Sequence, residues 1–135
     1  MAIAATETTS LVAFTLPGTS YSAQMARFYI RAALNYHALG EYAEDAEMVA
    51  SELIANAITH ACAPEVSLEL TCLEGTGALA IVVTDPCPLP PVKCDPAGDA
   101  EHGRGLHVVD ALSARWGWRP RHSGKAVYAI LTREG

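Results

Sequence analysis

Residues 51–61 read SELIANAITHA, and the fold is decided by how Glu52 and Asn56 sit within that stretch. The segment falls inside a helix expected from about Ala43 to Ala61. Met48, Leu53 and Ala57 suit its buried side, and Glu44, Asp45 and Glu47 occupy its first turns, where acidic side chains favour the positive end of the helix dipole. Pro64 forbids continuation. A helix advances about 100° per residue, so Glu52 and Asn56 project from adjacent turns in nearly one direction. An amide oxygen is a hard ligand for a hydrated divalent cation, and a carboxylate beside it can position or deprotonate a hydroxyl. The same spacing is common on solvated helix faces, so its meaning depends on the surrounding chain.

Upstream, Leu11 to Leu16 reads as a short strand ended by the turn pair Pro17-Gly18. Thr19 or Ser20 is then a candidate cap for a helix from Tyr21 to Leu39, with Met25, Phe28, Ala32 and Leu39 among its apolar positions. Gly40 is the expected stop. Downstream, Val66 to Leu73 (VSLELTCL) alternates, residues 74–77 turn the chain, and Ala78 to Asp85 (ALAIVVTD) returns as a more apolar strand. Residues 86–102 hold five prolines and little periodicity, which reads as a long surface loop, functional or disordered. A third helix is expected over Gly103 to Ser113, and Arg115 to Arg119 with Lys125 to Thr132 form a second hairpin. This order predicts an α/β two-layer sandwich, with a mostly antiparallel mixed sheet covered by helices on one face.

Two further groups line up with the Glu52/Asn56 pair. Asp85 ends the apolar strand, where a carboxylate can accept from an exocyclic amine such as that of adenine. Strands also end in Asp simply because the next turn uses one. Gly103-Arg104-Gly105 opens the third helix. Glycines there allow close backbone approach, and the free N–H groups of a helix start favour phosphate.

The composition narrows the classes. The chain has 135 residues, half of them apolar and 18% charged, with a net charge of −6 from 15 acidic and 9 basic residues. That length suits one domain over residues 1–135, with residues 1–10 expected flexible. No Lys/Arg run offers a phosphate-backbone footprint, so nucleic acid is not an expected partner. The start, MAIAATETTS, lacks a basic and a long apolar region, and no stretch approaches the ~20 apolar residues of a membrane helix. A cytoplasmic location without membrane association is therefore expected. Cys62, Cys72, Cys87 and Cys94 form no CxxC pair, which points to reduced thiols rather than a zinc or redox centre. Cys87 and His102 share one loop, but nothing orients the imidazole as a base. His37, His107 and His122 have no ligand-like spacing, and Trp116 and Trp118 are expected to pack rather than stack on a ligand.

In combination these segments resemble the GHKL ATPase superfamily, the ATP-binding fold of histidine kinases and gyrase. SELIANAITHA is similar to its asparagine box, DPCPLPP to its first glycine box, and HGRGLHVVDALSARWGW to its second. The ending Gly124-Lys125-Ala126-Val127-Tyr128 resembles the final strand of one branch, the stand-alone anti-sigma-factor serine kinases and related actinomycete regulators. The resemblance runs from about Leu11 onward.

That resemblance implies ATP and Mg2+ as cofactors. Asn56 would hold the magnesium and contact the nucleotide, and Glu52 would be the catalytic base. Asp85 would read the adenine amino group, Gly103 and Gly105 would wrap the phosphates with Arg104 near the terminal ones, and residues 86–102 would be the ATP lid. His60 falls on a familiar position of the asparagine box. The implied partners are a sigma factor and a STAS-domain anti-sigma antagonist whose serine is phosphorylated. One position departs from the pattern: Cys87 stands where the first glycine box has glycine, and a Cβ there alters the approach to the base. The competing expectation is a non-catalytic regulator acting through protein contacts, as a homodimer built on the first strand and helix. Retention of Glu52 and Asn56 argues against it.

Overall fold

A computed structural model describes residues 8–61, 64–73, 75–91 and 105–133. Alternation in the strands decides which way the sheet faces. In β2 (Glu65–Leu73) and β3 (Ala78–Asp85) the buried side chains Val66, Leu68 and Leu70 share a face with Leu79, Ile81 and Val83. Their register, Leu68 opposite Val83 and Leu70 opposite Ile81, sets these residues directly across from one another. With β1 (Thr8–Pro17), β4 (Arg115–Arg121) and β5 (Gly124–Leu131) they form one sheet in the order β1-β2-β3-β5-β4. Every pairing among the described residues is antiparallel.

Three helices cover the apolar face: α1 (Ser22–Tyr36), α2 (Ala43–Ala61) and α3 (Gly105–Leu112). They contribute Ile30 and Leu34, Val49, Leu53 and Ile54, and Leu106 and Val109 to one continuous core with the strands. Full burial of each such side chain is worth about 1.5–3 kcal/mol before chain entropy is set against it. The other face of the sheet carries Ser67, Glu69, Thr84 and Tyr128 and has no helix against it among the described residues. The α/β two-layer sandwich is thus present as expected. No helix among the described residues is long and apolar enough to cross a membrane.

Several local expectations are corrected. β1 starts at Thr8, so Thr8, Thr9 and Ser10 pair with β2 instead of belonging to a loose N-terminus. Helix α1 has the expected period in a different phase. Its buried stripe is Ser22, Ala26, Ile30 and Leu34, whereas Met25, Phe28 and Ala32 face outward. Neither Thr19 nor Ser20 caps it; the N-cap is Tyr21, with no side-chain bond, and the Ser22 hydroxyl donates to the Pro17 carbonyl. The helix stops before Gly40. Ala38 takes the left-handed conformation (φ 61°), and Gly40 opens a short 3-10 turn, Gly40–Tyr42, that leads into α2. On α2, Leu53 and Ala57 are buried as expected, but Met48 is 41% exposed. Trp116 packs against the core edge and its indole N–H donates to Asp110 Oδ1 at 3.1 Å.

Candidate functional site

The two faces of α2 are told apart by an ion pair. Arg31 of α1 meets Glu47 of α2 at 2.5 Å, which marks the side of α2 turned to α1. At about 100° per residue, Glu52 lies about 140° and Asn56 about 180° around the axis from Glu47. Both therefore sit on the flank turned away from α1, and α3 is the other helix packed on α2. Both side chains are half-buried. A half-buried carboxylate and amide on one ridge keep access to a ligand while their backbone is fixed by the core residues Leu53, Ile54 and Ala57 beneath.

Asp85 ends β3 and is 4% exposed. Its Oδ1 accepts the backbone N–H of Cys87 at 2.8 Å, the bond that shapes the turn after the strand. The same oxygen accepts from Lys125 Nζ at 3.1 Å, and Lys125 is also 4% exposed. The two residues are cross-strand partners in the β3–β5 ladder. Lys125 Nζ reaches on to the Cys87 carbonyl at 3.3 Å. The ammonium thus ties the strand end to the first residues of the following loop. Gly124, at φ +152°, passes so close to this corner that a Cβ would lie 2.0 Å from the Asp85 carbonyl oxygen.

Lys125 is the residue that reading the sequence missed. The signal was available: along β5 the inward positions run Lys125, Val127, Ala129, Leu131, a lysine in the place of an apolar residue. The departure at Cys87 does not extend to the backbone conformation. Ala38 is the only described non-glycine residue with a positive φ, so Cys87 adopts a backbone open to any residue. Its thiol is free and half-buried.

Gly105 is the first residue of α3, so the helix start that follows the glycine pair is present. Gly103 and Arg104 lie outside the described residues, as do residues 92–102 of the expected lid and the side chain of His60. A cleft of about 530 Å3 opens at the same end of the sheet, lined by Ser67, Thr84, Asp85, Arg121, Ser123 and Gly124 among others. Ser67 and Thr84 belong to the helix-free face, so this cleft backs onto the Asp85 corner and involves neither Glu52 nor Asn56.

The donor set bears on metal chemistry. Among the described residues no three His, Cys, Asp or Glu side chains gather into a metal cage. Magnesium characteristically keeps several waters and binds through one or two protein oxygens plus substrate phosphates. Asn56, with Glu52 one turn before it, fits an ion that arrives with a nucleotide.

Comparison with known proteins agrees with the fold. A model of the histidine kinase-like ATPase domain family matches residues 17–131. The crystal structure of the RsbU and RsbW domains of Rv1364c from Mycobacterium tuberculosis has the same fold. It aligns with 94% of the chain at a TM-score of 0.67 and 19% identity. The chain spans 32% of the length of that structure. No curated protein matches the sequence.

Proposed function

Since the chain belongs to the histidine kinase-like ATPase domain family, within the GHKL superfamily, we propose that it binds ATP with magnesium and acts as a regulatory protein serine kinase. Its acceptor would be a serine on a STAS-domain anti-sigma antagonist, and its second partner a sigma factor held while that antagonist is absent or phosphorylated. The observation that carries this reading is the shared flank of Glu52 and Asn56, half-buried and turned away from α1, together with the buried carboxyl of Asp85 at the strand end.

Each residue then has a defined task. The Asn56 amide oxygen would hold the magnesium, whose charge offsets that of the phosphates when bound. Glu52 would accept the serine hydroxyl proton as the serine oxygen bonds to the γ-phosphorus and the bond to the β-phosphate oxygen breaks, releasing ADP. Most of the acceleration expected of such a site is positioning and charge stabilisation rather than proton transfer. Asp85 would accept from the adenine amine. The backbone around Gly103 and Gly105 would wrap the phosphates, with Arg104 beside them.

The test is transfer of labelled γ-phosphate from ATP to a purified STAS-domain anti-sigma antagonist. Label on a serine is the expected result. No label, with sigma factor still bound, would favour the non-catalytic regulator.

The reading extends to a homodimer through β1 and α1. β1 is an edge strand with no charged side chain (TTSLVAFTLP), free of the charges that commonly block edge pairing. The adjacent helix leaves Tyr21, Met25 and Phe28 exposed around a largely apolar depression. Phe28, 71% exposed, makes the sharper probe. Phe28→Asp should convert a dimer to a monomer in light scattering while leaving the chain folded. A wild-type chain that scatters as a monomer at high micromolar concentration would remove this part of the account.

A further inference from the structure

The pairing of Asp85 with Lys125 is more than a turn requires. The Asx turn after β3 needs only Oδ1 and the Cys87 N–H. A lysine is almost never fully buried unless paired, and replacing a buried ion pair by apolar residues is often neutral or stabilising. Stability alone therefore gives little reason to place Lys125 in an inward position of β5 otherwise filled by Val127, Ala129 and Leu131. What the ammonium does is geometric. It bonds Asp85 Oδ1 at 3.1 Å and the Cys87 carbonyl at 3.3 Å, so carboxyl group and loop start are held by one cation. With two donors converging on Oδ1, rotation of the carboxyl about its terminal torsion would break both bonds.

We propose that Lys125 is a positioning residue for nucleobase selection, fixing Asp85 so that its carboxylate meets an exocyclic amine and not a carbonyl. This rests on the ATP-binding reading above and adds to it the residue that orients the base-reading group. A carboxylate held rigidly as an acceptor favours a purine with an amine at position 6 and opposes one with an oxygen there, because two acceptors face each other. A carboxyl free to turn away discriminates less. Lys125 acts through Asp85 and touches no part of the nucleotide.

The experiment measures affinity for Mg-ATP and Mg-GTP in the wild type, Asp85→Asn, Lys125→Met and the double variant, with a thermal melt for each. The wild type should prefer ATP. Asp85→Asn and Lys125→Met should each lower that preference about tenfold, in line with one lost charge-assisted bond. The double variant should fall no further than Asp85→Asn alone, since the two substitutions disable one device. Lys125→Met leaves a buried carboxylate without its cation and is the variant at risk of unfolding. If its melt is lost, Lys125→Gln, which keeps Asp85 and a neutral donor beside it but not the cation that bonds both acceptors, carries the test. A wild-type ATP preference in Lys125→Met, or in Lys125→Gln where Lys125→Met does not fold, overturns the proposal. So does a further tenfold loss in the double variant beyond Asp85→Asn. A wild type that binds neither nucleotide fails the ATP-binding reading and this proposal with it. A wild type that prefers ATP while Lys125→Met does the same fails this proposal alone.

Discussion

Gly124→Ala should cost several kcal/mol of stability and in practice prevent the chain from folding stably at 37 °C, whereas Gly75→Ala should cost only about 1 kcal/mol. Both glycines have positive φ, +152° and +85°, so both substitutions strain the backbone. Only one meets an obstacle. A Cβ on Gly75 finds nothing within 4 Å, while one on Gly124 would sit 2.0 Å from the Asp85 carbonyl oxygen and 2.6 Å from Pro86 Cα. Those atoms are main chain at the end of the β3–β5 ladder, where Asp85 pairs with Lys125. They cannot swing aside as a side-chain tip can. Relief requires the β4–β5 hairpin to lift away from β3, which uncovers Val83 and Val127. Chemical denaturation of the two variants reads the difference, and equal losses would show that backbone conformation alone decides both.

Asn56→Ala should abolish magnesium-dependent ATP binding, while Glu52→Ala should leave ATP affinity within about threefold and remove phosphate transfer, a loss on the order of 10²–10⁴ in rate. The two residues share a flank and differ only by one helical turn, so a merely structural role would affect both alike. Neither belongs to the core: Leu53, Ile54 and Ala57 do that work, and both site residues are half-buried. Exposed or half-buried polar-to-alanine changes on a helix have little intrinsic cost, so folding should survive. Nucleotide titration and single-turnover transfer separate the two effects. Equal ATP affinity in the wild type and Asn56→Ala would remove the metal assignment.

What the sequence disclosed follows from where one physical signal dominated. The β2–β3 hairpin was legible because VSLELTCL alternates with period two and ALAIVVTD follows the turn as a short apolar run. The flank of Glu52 and Asn56 was legible because a four-residue spacing on a helix has one geometric meaning. Helix α1 was readable in existence and not in phase. Its outer face holds Tyr21, Met25, Phe28 and Tyr36, so apolarity gave no contrast between inside and outside. The small residues Ser22 and Ala26 instead mark the closest approach to the core. Its end was misplaced because glycine is the usual left-handed residue, yet Ala38 takes that role and Gly40 begins the next turn. The Asp85–Lys125 pair joins residues 40 positions apart, and only the β3–β5 register brings them together. At Cys87 a motif position lacks its glycine, and the backbone there has no positive φ to require one.

The most direct test of the central claim is calorimetric titration of the purified chain with ATP, in the presence and absence of magnesium. The account predicts saturable binding of one nucleotide per chain with magnesium, weakened strongly when the metal is withheld. Absence of binding at millimolar ATP with magnesium present would contradict it.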